Sequence, residues 1–238
     1  MNNSIKVHKS LMLLKRNYSQ INLEIMLSDE NKRKTIEKFK KYTKLRFAEK
    51  NPEKHAAILI PMCITNNEIS ILYTIRSSKL RNYSGQVCFP GGKMDDTDNH
   101  EIECALRETE EEIGLSSQYI KIWGSGSQIT PRDGPSILPI IAEVENFSHT
   151  MLTKNPEEVE KIFTISLDRL RDPTFIRHTQ FKSRSGNSSG FSMPVYLGGD
   201  MRFWGMTATI THFLLCSMLP KELYNRRMPF VNKYDTTN

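Results

Sequence analysis

The residues that could do chemistry in this chain are concentrated between Phe89 and Leu115, in the sequence FPGGKMDDTDNHEIECALRETEEEIGL. Residues 101–112 include six glutamates and only one Lys or Arg, which is Arg107. Three of the glutamates have the i, i+3, i+4 spacing that brings side chains to one helix face, and these are Glu108, Glu111 and Glu112. Carboxylates about 5 Å apart repel by roughly 3 kcal/mol at an effective dielectric constant of ~20. The face must therefore be protonated, bridged by cations or fully solvated.

A hard divalent cation is the partner that suits such a face. Carboxylate oxygens are the ligands that Mg²⁺, or Mn²⁺ in its place, prefers in proteins. Directly upstream, Pro90-Gly91-Gly92 supplies glycines that let the backbone approach a metal or phosphate closely. Together these residues predict metal-dependent phosphate chemistry, with a cation-activated water as the nucleophile. An acidic face in open solvent without any ligand is the alternative.

The acidic residues need a helix to align them. Asp98 and Glu101 have capping-box spacing, which predicts a helix with Asp98 as its N-cap. Gly114 is expected to end it. The side that packs on the rest of the molecule is predicted to consist of Ile102, Leu106, Thr109 and Ile113.

Apolar runs elsewhere predict the strands of a scaffold. They cover Ala56–Ile64, Ile69–Ile75, Tyr119–Trp123, Ile137–Val144 and Ile162–Ile165. Two further strands, Phe175–Lys182 and Phe191–Leu197, flank the hairpin loop 185–190. The pattern indicates a mixed sheet with helices on its faces.

Few helices are predicted outside the acidic segment. One starts at Ser28 or Asp29 and runs to about Lys50, and the last covers about Gly205 to Leu219. The chain is therefore divided into a tail (1–23), a basic helix (24–54), one catalytic domain (55–220) and a C-terminal tail (221–238).

The net charge of +6 is unevenly distributed. Residues 1–54 carry 14 Lys/Arg against 6 Asp/Glu, a net of +8, whereas residues 55–238 carry 19 against 21, a net of −2. Nucleic-acid binders spread basic residues over a folded face, so no nucleic-acid partner is expected. The basic helix is interpreted as a solvated face, with membrane or RNA contact as alternatives.

The first 23 residues allow two interpretations. They are basic, contain hydroxyl side chains and have no acid, as in a mitochondrial presequence, and Arg16-Asn17-Tyr18-Ser19 is similar to a processing site. A basic tail on a cytoplasmic protein is the alternative. The four cysteines form no CxxC pair and are expected to be reduced thiols. The apolar stretch Met206–Leu219 is too short to span a bilayer.

The acidic segment resembles the signature of the Nudix hydrolases. That signature contains a Gly, a Glu, Arg-Glu, then Glu-Glu and a final Gly, and here Gly92 and Arg107 to Leu115 match it. The spacing from Gly92 to Arg107 is one residue longer than in the common form. Asn99 occupies the position of the first Glu, so Asp98 or Glu101 is expected to take over its structural work.

A second stretch is similar to the coenzyme A diphosphatase subgroup of that family, mitochondrial members included. It contains Leu72-Tyr73-Thr74-Ile75-Arg76-Ser77, then Arg81, Gly85 and Phe89-Pro90-Gly91-Gly92. The resemblance implies an α/β/α sandwich around a mixed sheet. It also implies hydrolysis of coenzyme A, free or acylated, to 3′,5′-ADP and 4′-phosphopantetheine.

The resemblance assigns roles to individual residues. The metal ligands would be Glu108, Glu111, Glu112 and the carbonyl of Gly92. The catalytic residues would be Glu111, Glu112 and Arg107, with Arg107 orienting glutamates such as its i−4 and i+4 neighbours Glu103 and Glu111. The substrate-binding residues would be Arg76, Arg81, Gly85, Gly91 and Gly92, because arginine suits diphosphate oxygens.

Two questions stay open at this level. The general base would be Glu112 or a loop carboxylate, Glu157 or Glu158. The alternatives to coenzyme A are other substrates of the family (ADP-ribose, NADH, a dinucleoside polyphosphate or an RNA cap) and a non-catalytic binding module. The sequence gives no basis for an oligomeric state.

Overall fold

The computed structural model describes residues 21–45, 54–131, 134–181, 191–197 and 201–226. The predicted presequence or tail up to residue 20, the hairpin loop 185–190 and the C-terminal tail beyond residue 226 lie outside these ranges. The domain limits proposed from the sequence, 55 and 220, stay predictions.

The described residues form five α-helices and nine strands. The helices are α1 (Leu23–Met26), α2 (Asp29–Thr43), α3 (Glu101–Ile113), α4 (Leu167–Arg171) and α5 (Gly205–Met218). The strands are β1 (His55–Thr65), β2 (Glu68–Arg76), β3 (Val87–Cys88), β4 (Gly91–Lys93), β5 (Ile120–Ser125), β6 (Ser136–Val144), β7 (Val159–Ser166), β8 (Ile176–Phe181) and β9 (Phe191–Tyr196). The long strands match the predicted ones, whereas β3 and β4 are too short for a periodic signal.

The main sheet has seven strands in the order β3-β2-β1-β6-β5, with β4 on β1 and β7 on β2. The β1–β6 pair is parallel, and the other pairs are antiparallel. The β8–β9 hairpin forms a separate two-stranded sheet. The predicted mixed sheet is confirmed. Its β1–β4 register places Ala57 opposite Gly92 and so brings the glycine segment to the centre of the sheet.

Helices cover both faces of the main sheet, as predicted for an α/β/α sandwich. On one face, Cys104 and Ala105 of α3 pack on Ala57, Leu59 and Ile140. These short side chains allow the helix to approach the strands closely. On the opposite face, α2 and α5 pack around a larger cluster, which includes Phe39, Tyr73, Phe203, Leu214 and Leu215.

The basic helix α2 is shorter than predicted. It begins after Ser28, whose hydroxyl caps the Asn31 N–H, but it ends at Thr43 and not near Lys50. Thr43 is buried, and its hydroxyl donates to the Phe39 carbonyl and accepts from the Ser127 N–H at 2.7 Å. This tertiary contact fixes the end of the helix, which no local sequence signal marks.

The sequence analysis expects reduced cysteines and an apolar stretch, Met206–Leu219, that is too short to span a bilayer. All four cysteines are free thiols, as predicted. Within the described ranges, no helix has the length and apolarity needed to cross a bilayer.

Candidate active site

The acidic helix α3 begins two residues later than the capping-box spacing predicts. The prediction that Asp98 is its N-cap is wrong, because the N-cap is His100, whose Nδ1 accepts the Glu103 N–H at 3.2 Å. The carboxylate of Asp98 is engaged elsewhere. It accepts hydrogen bonds from Arg107 and from the N–H of Asp95.

Gly114 ends α3, as predicted, and joins the helix to a neighbouring loop. Its φ of 68° lies in the left-handed region, and its N–H donates to the Glu110 carbonyl at 2.8 Å. A Cβ at this position would crowd Thr153, whose N–H donates to the Ile113 carbonyl at 2.8 Å. The glycine therefore allows the loop that starts at Thr153 to pack on the helix end.

The buried side of α3 differs in part from the predicted one. Thr109 and Ile113 are fully buried, as expected, but Ile102 and Leu106 are only partly covered. Thr109 tolerates burial because its hydroxyl donates to the Ala105 carbonyl at 2.6 Å. Glu112 is also on the buried side, which the i, i+3, i+4 pattern alone does not show.

Glu112 is a carboxylate in an unusually dry position, with 2% of its surface exposed. Its Oε2 accepts the Gly91 N–H at 3.2 Å, and its Oε1 lies 4.0 Å from Nη1 of Arg76. Burial raises the pKa of Glu112 to about 8, although the Gly91 N–H and Arg76 act in the opposite direction. Neither partner neutralises this carboxylate fully.

The two glycines before α3 give the helix its place against the sheet. Gly91 has a φ of 140°, and a Cβ there would overlap the carbonyl oxygen of Ala57. A Cβ at Gly92 would overlap the carboxylate of Glu108. Any larger residue would displace the β1 backbone at the first position and the Glu108 side chain at the second.

A loop carboxylate completes the acidic group. Asn155 N–H donates to the Glu112 carbonyl at 2.9 Å, and Ser77 N–H donates to the Glu158 carbonyl at 2.8 Å. These bonds fix the loop between the end of α3 and the end of β2. As a result, Glu108, Glu112 and Glu158 each offer a carboxylate oxygen, and the three oxygens lie within 4.8 Å of one another. We call these three residues the carboxylate cluster.

The carboxylate cluster fits a divalent cation. Its ligand atoms are all oxygens, which suit Mg²⁺ or Mn²⁺ and exclude a thiolate-type zinc site. Burial raises the pKa of Glu108 as it does that of Glu112. Three carboxylates of which one is almost dry repel one another strongly, and a cation among them would remove that cost.

Arg107 holds one side of the cluster in place, in keeping with the orienting role predicted for it. Its guanidinium binds Asp98 in a two-point contact, from Nε at 3.0 Å and Nη2 at 2.8 Å. Its Nη1 donates to Glu108 at 3.2 Å and to Glu111 at 3.0 Å. The Arg107 hydrogen bonds lower the pKa of Asp98 to about 2. Glu103 is not a partner, since its carboxylate accepts from Asn99.

The missing first Glu of the signature is thus replaced by a neighbour. Asp98 occupies the position against Arg107, while Glu101, the other candidate, accepts from the side chain of Gln128 at 3.1 Å. The sequence could not separate the two, because both stand within two residues of Asn99.

Two of the predicted carboxylates lie outside the cluster. Glu111 is 54% exposed and paired with Arg107. Glu157 is exposed and paired with Lys79 at 2.5 Å. Of the two loop carboxylates considered for the base, only Glu158 is brought to the cluster.

Arg76 is the predicted substrate residue nearest to the cluster. It ends β2, and its Nη1 lies 4.0 Å from Glu112. Its Nε is buried and has no hydrogen-bond partner among the described residues. A guanidinium that lacks a full set of acceptors beside a cation site suits a phosphate oxygen.

The other predicted substrate residues in the β2–β3 loop have different surroundings. Arg81 is exposed and makes no ion pair with any described residue. Gly85 closes the loop: its φ is 69°, and its N–H donates to the Arg76 carbonyl at 3.0 Å. Gly85 therefore has a turn-forming function, and its N–H is not free for a ligand.

One contact was missed by the sequence analysis. The thiol of Cys104 donates to the carbonyl of Gly92 at 3.6 Å, the carbonyl predicted as a metal ligand. Burial raises the pKa of Cys104 to about 11, so the thiol keeps its proton and acts as a donor. No pattern in the sequence indicates this hydrogen bond, because it depends on how closely α3 packs on β4.

Comparison with known proteins decides the family. The family model of the NUDIX domain matches residues 53–184, more than half of the chain. The chain belongs to the Nudix family. It is a Nudix hydrolase, and the matched range includes all three residues of the carboxylate cluster.

Curated Nudix proteins from animals are clearly related to it. The chain is 38% identical over 166 residues to the mitochondrial coenzyme A diphosphatase NUDT8 of Mus musculus, covering 69% of this chain and 78% of that protein. It is 37% identical over 166 residues to the protein of the same name from Homo sapiens, covering 69% and 70%. Among solved structures, a C. elegans Ap4A hydrolase complex aligns with a TM-score of 0.41 and 19% identity, covering 48% of this chain and 80% of that one.

Proposed function

We propose that this Nudix hydrolase cleaves the diphosphate of coenzyme A, free or acylated, into 3′,5′-ADP and 4′-phosphopantetheine with the help of Mg²⁺. The observation that carries hydrolysis is the carboxylate cluster, because three carboxylates with oxygens within 4.8 Å of one another form a site that a divalent cation would stabilise. Coenzyme A is supported by the identity to two curated coenzyme A diphosphatases and by the signature from Arg76 to Gly92.

Each residue of the site has a proposed task. Glu108 and Glu112 would hold the cation, with the Gly92 carbonyl directed by the Cys104 thiol as a further ligand, and Glu158 would stand beside it without ligating it. The bound cation would supply charge neutralisation at the diphosphate and a more acidic water. Mn²⁺ is expected to substitute for Mg²⁺, since both take oxygen ligands.

The remaining predicted groups surround the cluster. Arg76 would bind a diphosphate oxygen, for which its buried Nε lacks any other acceptor among the described residues. Arg81, exposed in the β2–β3 loop, would contact a part of the substrate that lies farther from the carboxylate cluster. Arg107 would keep Glu108 and Glu111 oriented. Glu111 stays a predicted metal ligand, on the exposed side of α3.

We assign the general base to Glu158 and not to Glu157. Both precede β7, but Glu157 is paired with Lys79 in solvent, whereas Glu158 faces Glu108 and Glu112. Replacing Glu158 by Gln keeps its shape and removes its basicity and charge. We expect Glu158→Gln to lower kcat by about 10²- to 10⁴-fold, and Glu157→Gln, the matched control, to stay within about threefold. Equal effects of the two variants in a steady-state assay would contradict the assignment.

Product identification tests the proposed reaction. The full chain is incubated with coenzyme A and Mg²⁺, and the products are separated and weighed by mass spectrometry. We expect 3′,5′-ADP and 4′-phosphopantetheine with the wild type and neither with Glu112→Gln. Faster release of products from ADP-ribose or NADH at equal concentration would overturn coenzyme A as the substrate. No metal-dependent release from any of these substrates would favour a binding module.

We infer a mitochondrial location, supported by the mitochondrial assignment in the names of the two mammalian relatives and by the acid-free, basic N-terminal residues. A fluorescent protein fused after residue 30 would accumulate in mitochondria if this is correct. A diffuse cytoplasmic signal would contradict it.

A further inference from the structure

An exposed tryptophan follows a firmly anchored residue at the start of α5. The preceding residue, Phe203, is buried, exchanges backbone hydrogen bonds with Tyr196 at 2.9 and 3.0 Å, and stacks on its ring with 5.0 Å between centroids. Trp204 follows directly and is 47% exposed. Because successive side chains of an extended segment point to opposite sides, the anchored Phe203 directs Trp204 outward. The backbone that carries the indole is thus fixed, and the ring is presented to solvent.

The first turn of α5 is tied to the strand that leads into the glycine segment. The Thr207 hydroxyl donates to the carbonyl of Val87 at 3.0 Å. Val87 pairs with Ile75, the neighbour of Arg76 on β2. From Trp204 to Arg76 the path crosses one helical turn of about 5 Å, one hydrogen bond, one strand spacing of about 5 Å and one residue step of about 3 Å along β2. A nucleotide whose diphosphate lies at Arg76 can span that path.

A basic group accompanies the indole. The guanidinium carbon of Arg202 lies 5.3 Å from the centre of the Trp204 ring. No acidic residue is present in the first turn of α5, and no side chain caps its N-terminus. An aromatic face beside a guanidinium provides stacking for a base and hydrogen bonds for a phosphate.

We propose that Trp204 stacks on the adenine of the substrate and that Arg202 binds the phosphate on its ribose. The inference rests on the proposed function and deepens it. It assigns to Trp204 and Arg202 a class of ligand, an adenosine nucleotide with a phosphate on its ribose. Trp204 and Arg202 are then binding residues, and the chemistry stays with the carboxylate cluster.

Tyr83 is the rival platform. It is 69% exposed in the β2–β3 loop and has a φ of 58°, which is rare outside glycine. No hydrogen bond or ring contact holds the Tyr83 side chain to another described residue, so ordering it against a base would have a larger entropy cost than ordering Trp204, whose backbone is fixed.

Intrinsic fluorescence tests the inference directly, because the chain has only two tryptophans. Trp123 is partly buried beside α2, where its Nε1 donates to Glu143. In Trp123→Phe the only indole is Trp204, and in Trp204→Phe it is Trp123. We expect 3′,5′-ADP to quench Trp123→Phe in a saturable way and to leave Trp204→Phe unchanged. Pyrophosphate has no base to stack, so it should not quench the fluorescence of Trp123→Phe. Quenching of this variant by pyrophosphate, or the absence of quenching by 3′,5′-ADP, would overturn the stacking of Trp204 on adenine.

Affinity measurements separate the two platforms. Stacking of one base is worth roughly a tenfold change in affinity or more. We expect Trp204→Ala to weaken 3′,5′-ADP binding and to raise KM for coenzyme A about tenfold, with kcat within about threefold. Tyr119→Ala, at an exposed tyrosine directly before β5, is the matched control. A tenfold loss in Tyr83→Ala with none in Trp204→Ala would transfer the role to Tyr83 and overturn the inference.

Arg202→Gln tests the phosphate contact. It should weaken 3′,5′-ADP more than 5′-AMP, which lacks the second phosphate, and equal weakening would contradict the assignment.

The outcomes also distinguish this inference from the reaction itself. Hydrolysis of coenzyme A without quenching of Trp204 leaves the proposed function intact and removes the adenine site. Quenching of Trp204 by 3′,5′-ADP without hydrolysis of coenzyme A leaves the adenine site and removes the reaction.

Discussion

Glu112 is the residue on which the account of the site depends most. It lies beside a second carboxylate from its own helix, Glu108, and a third from a loop, Glu158. It is almost inaccessible to water, and its partners are one backbone N–H and one guanidinium at 4.0 Å. A buried carboxylate with this environment is costly to ionise unless a cation joins it.

The raised pKa of Glu112 predicts how the cation-free protein responds to pH. The folded pKa of about 8 exceeds the ordinary 4.5, so the folded state holds the proton more tightly than the unfolded one. The stabilisation is fully present below pH 4.5 and is lost as pH rises through 8. In EDTA, the free energy of unfolding of the wild type in urea should fall by roughly 4 kcal/mol through this residue over that window.

Glu112→Gln is the variant that isolates this effect. Its amide does not titrate, so its unfolding free energy should fall less than that of the wild type between pH 5 and pH 8.5. Parallel curves for the two proteins would show that Glu112 titrates normally in the fold.

At the scale of elements, the site is formed where the glycine segment, α3 and the loop before β7 meet. Gly91 lies against the β1 backbone, and Gly92 lies against the Glu108 carboxylate. The loop is fixed to the end of α3 by backbone hydrogen bonds from Thr153 and Asn155. The relative positions of the three elements therefore follow from main-chain contacts and from the absence of side chains at two positions.

The two glycines should respond differently to alanine. Gly91→Ala would force a Cβ into the backbone of Ala57 at a φ of 140°, so we expect it to lower the free energy of unfolding by about 3 kcal/mol or more. Gly92→Ala would meet only the end of the Glu108 side chain, which can shift more easily than backbone, so we expect a smaller stability loss, about 1 kcal/mol, and a large loss of kcat. Denaturant unfolding measures the stability of both variants, and steady-state kinetics measures their kcat. A larger loss of unfolding free energy in Gly92→Ala than in Gly91→Ala would contradict this prediction.

The sequence predicted the elements better than their ends and contacts. The 3.6-residue pattern and Gly114 were enough for α3, since they are local signals. Its start was misplaced because Arg107, nine residues away, takes the Asp98 carboxylate that would otherwise cap the helix. The end of α2 was misplaced for the same kind of reason, through the contact between Thr43 and Ser127.

In the site, too, local features could be predicted from the sequence, whereas burial and long-range contacts could not. Glu108 and Glu112 could be selected from spacing and resemblance, but Glu111 and Glu112 are adjacent in sequence and differ in burial, which spacing does not reveal. Glu158 could not be separated from Glu157, because the choice depends on the fold of the loop and on its long-range bonds to α3 and β2.

At the scale of the whole molecule, the sheet separates two layers with different tasks. The layer of α3 carries the carboxylate cluster, and the layer of α2 and α5 carries most of the large apolar core. A buried polar network joins the second layer to the end of the described chain. His212 of α5 bonds the hydroxyl of Tyr224 at 2.8 Å, and Tyr224 lies 3.2 Å from the hydroxyl of Tyr196 on β9.

This network predicts the acid sensitivity of the fold. Burial, with His178 and Arg226 nearby, lowers the pKa of His212 from 6.5 to about 4. The stabilisation is therefore present above pH 6.5 and is lost as pH falls through 4, because the unfolded chain takes up the proton first. Between pH 7 and pH 4.5, we expect the wild type to lose about 2 kcal/mol more than His212→Gln in urea unfolding. Equal losses would contradict this role.

The most direct test of the account is a titration of the full chain with Mn²⁺, followed by electron paramagnetic resonance of the free ion. We predict saturable binding to the wild type that competes with Mg²⁺ and is lost in Glu112→Gln. The matched control is Glu110→Gln, whose parent residue is exposed on the same helix, and it should bind as the wild type does. Binding that persists in Glu112→Gln, or no binding to the wild type at millimolar Mn²⁺, would contradict a cation site at the carboxylate cluster.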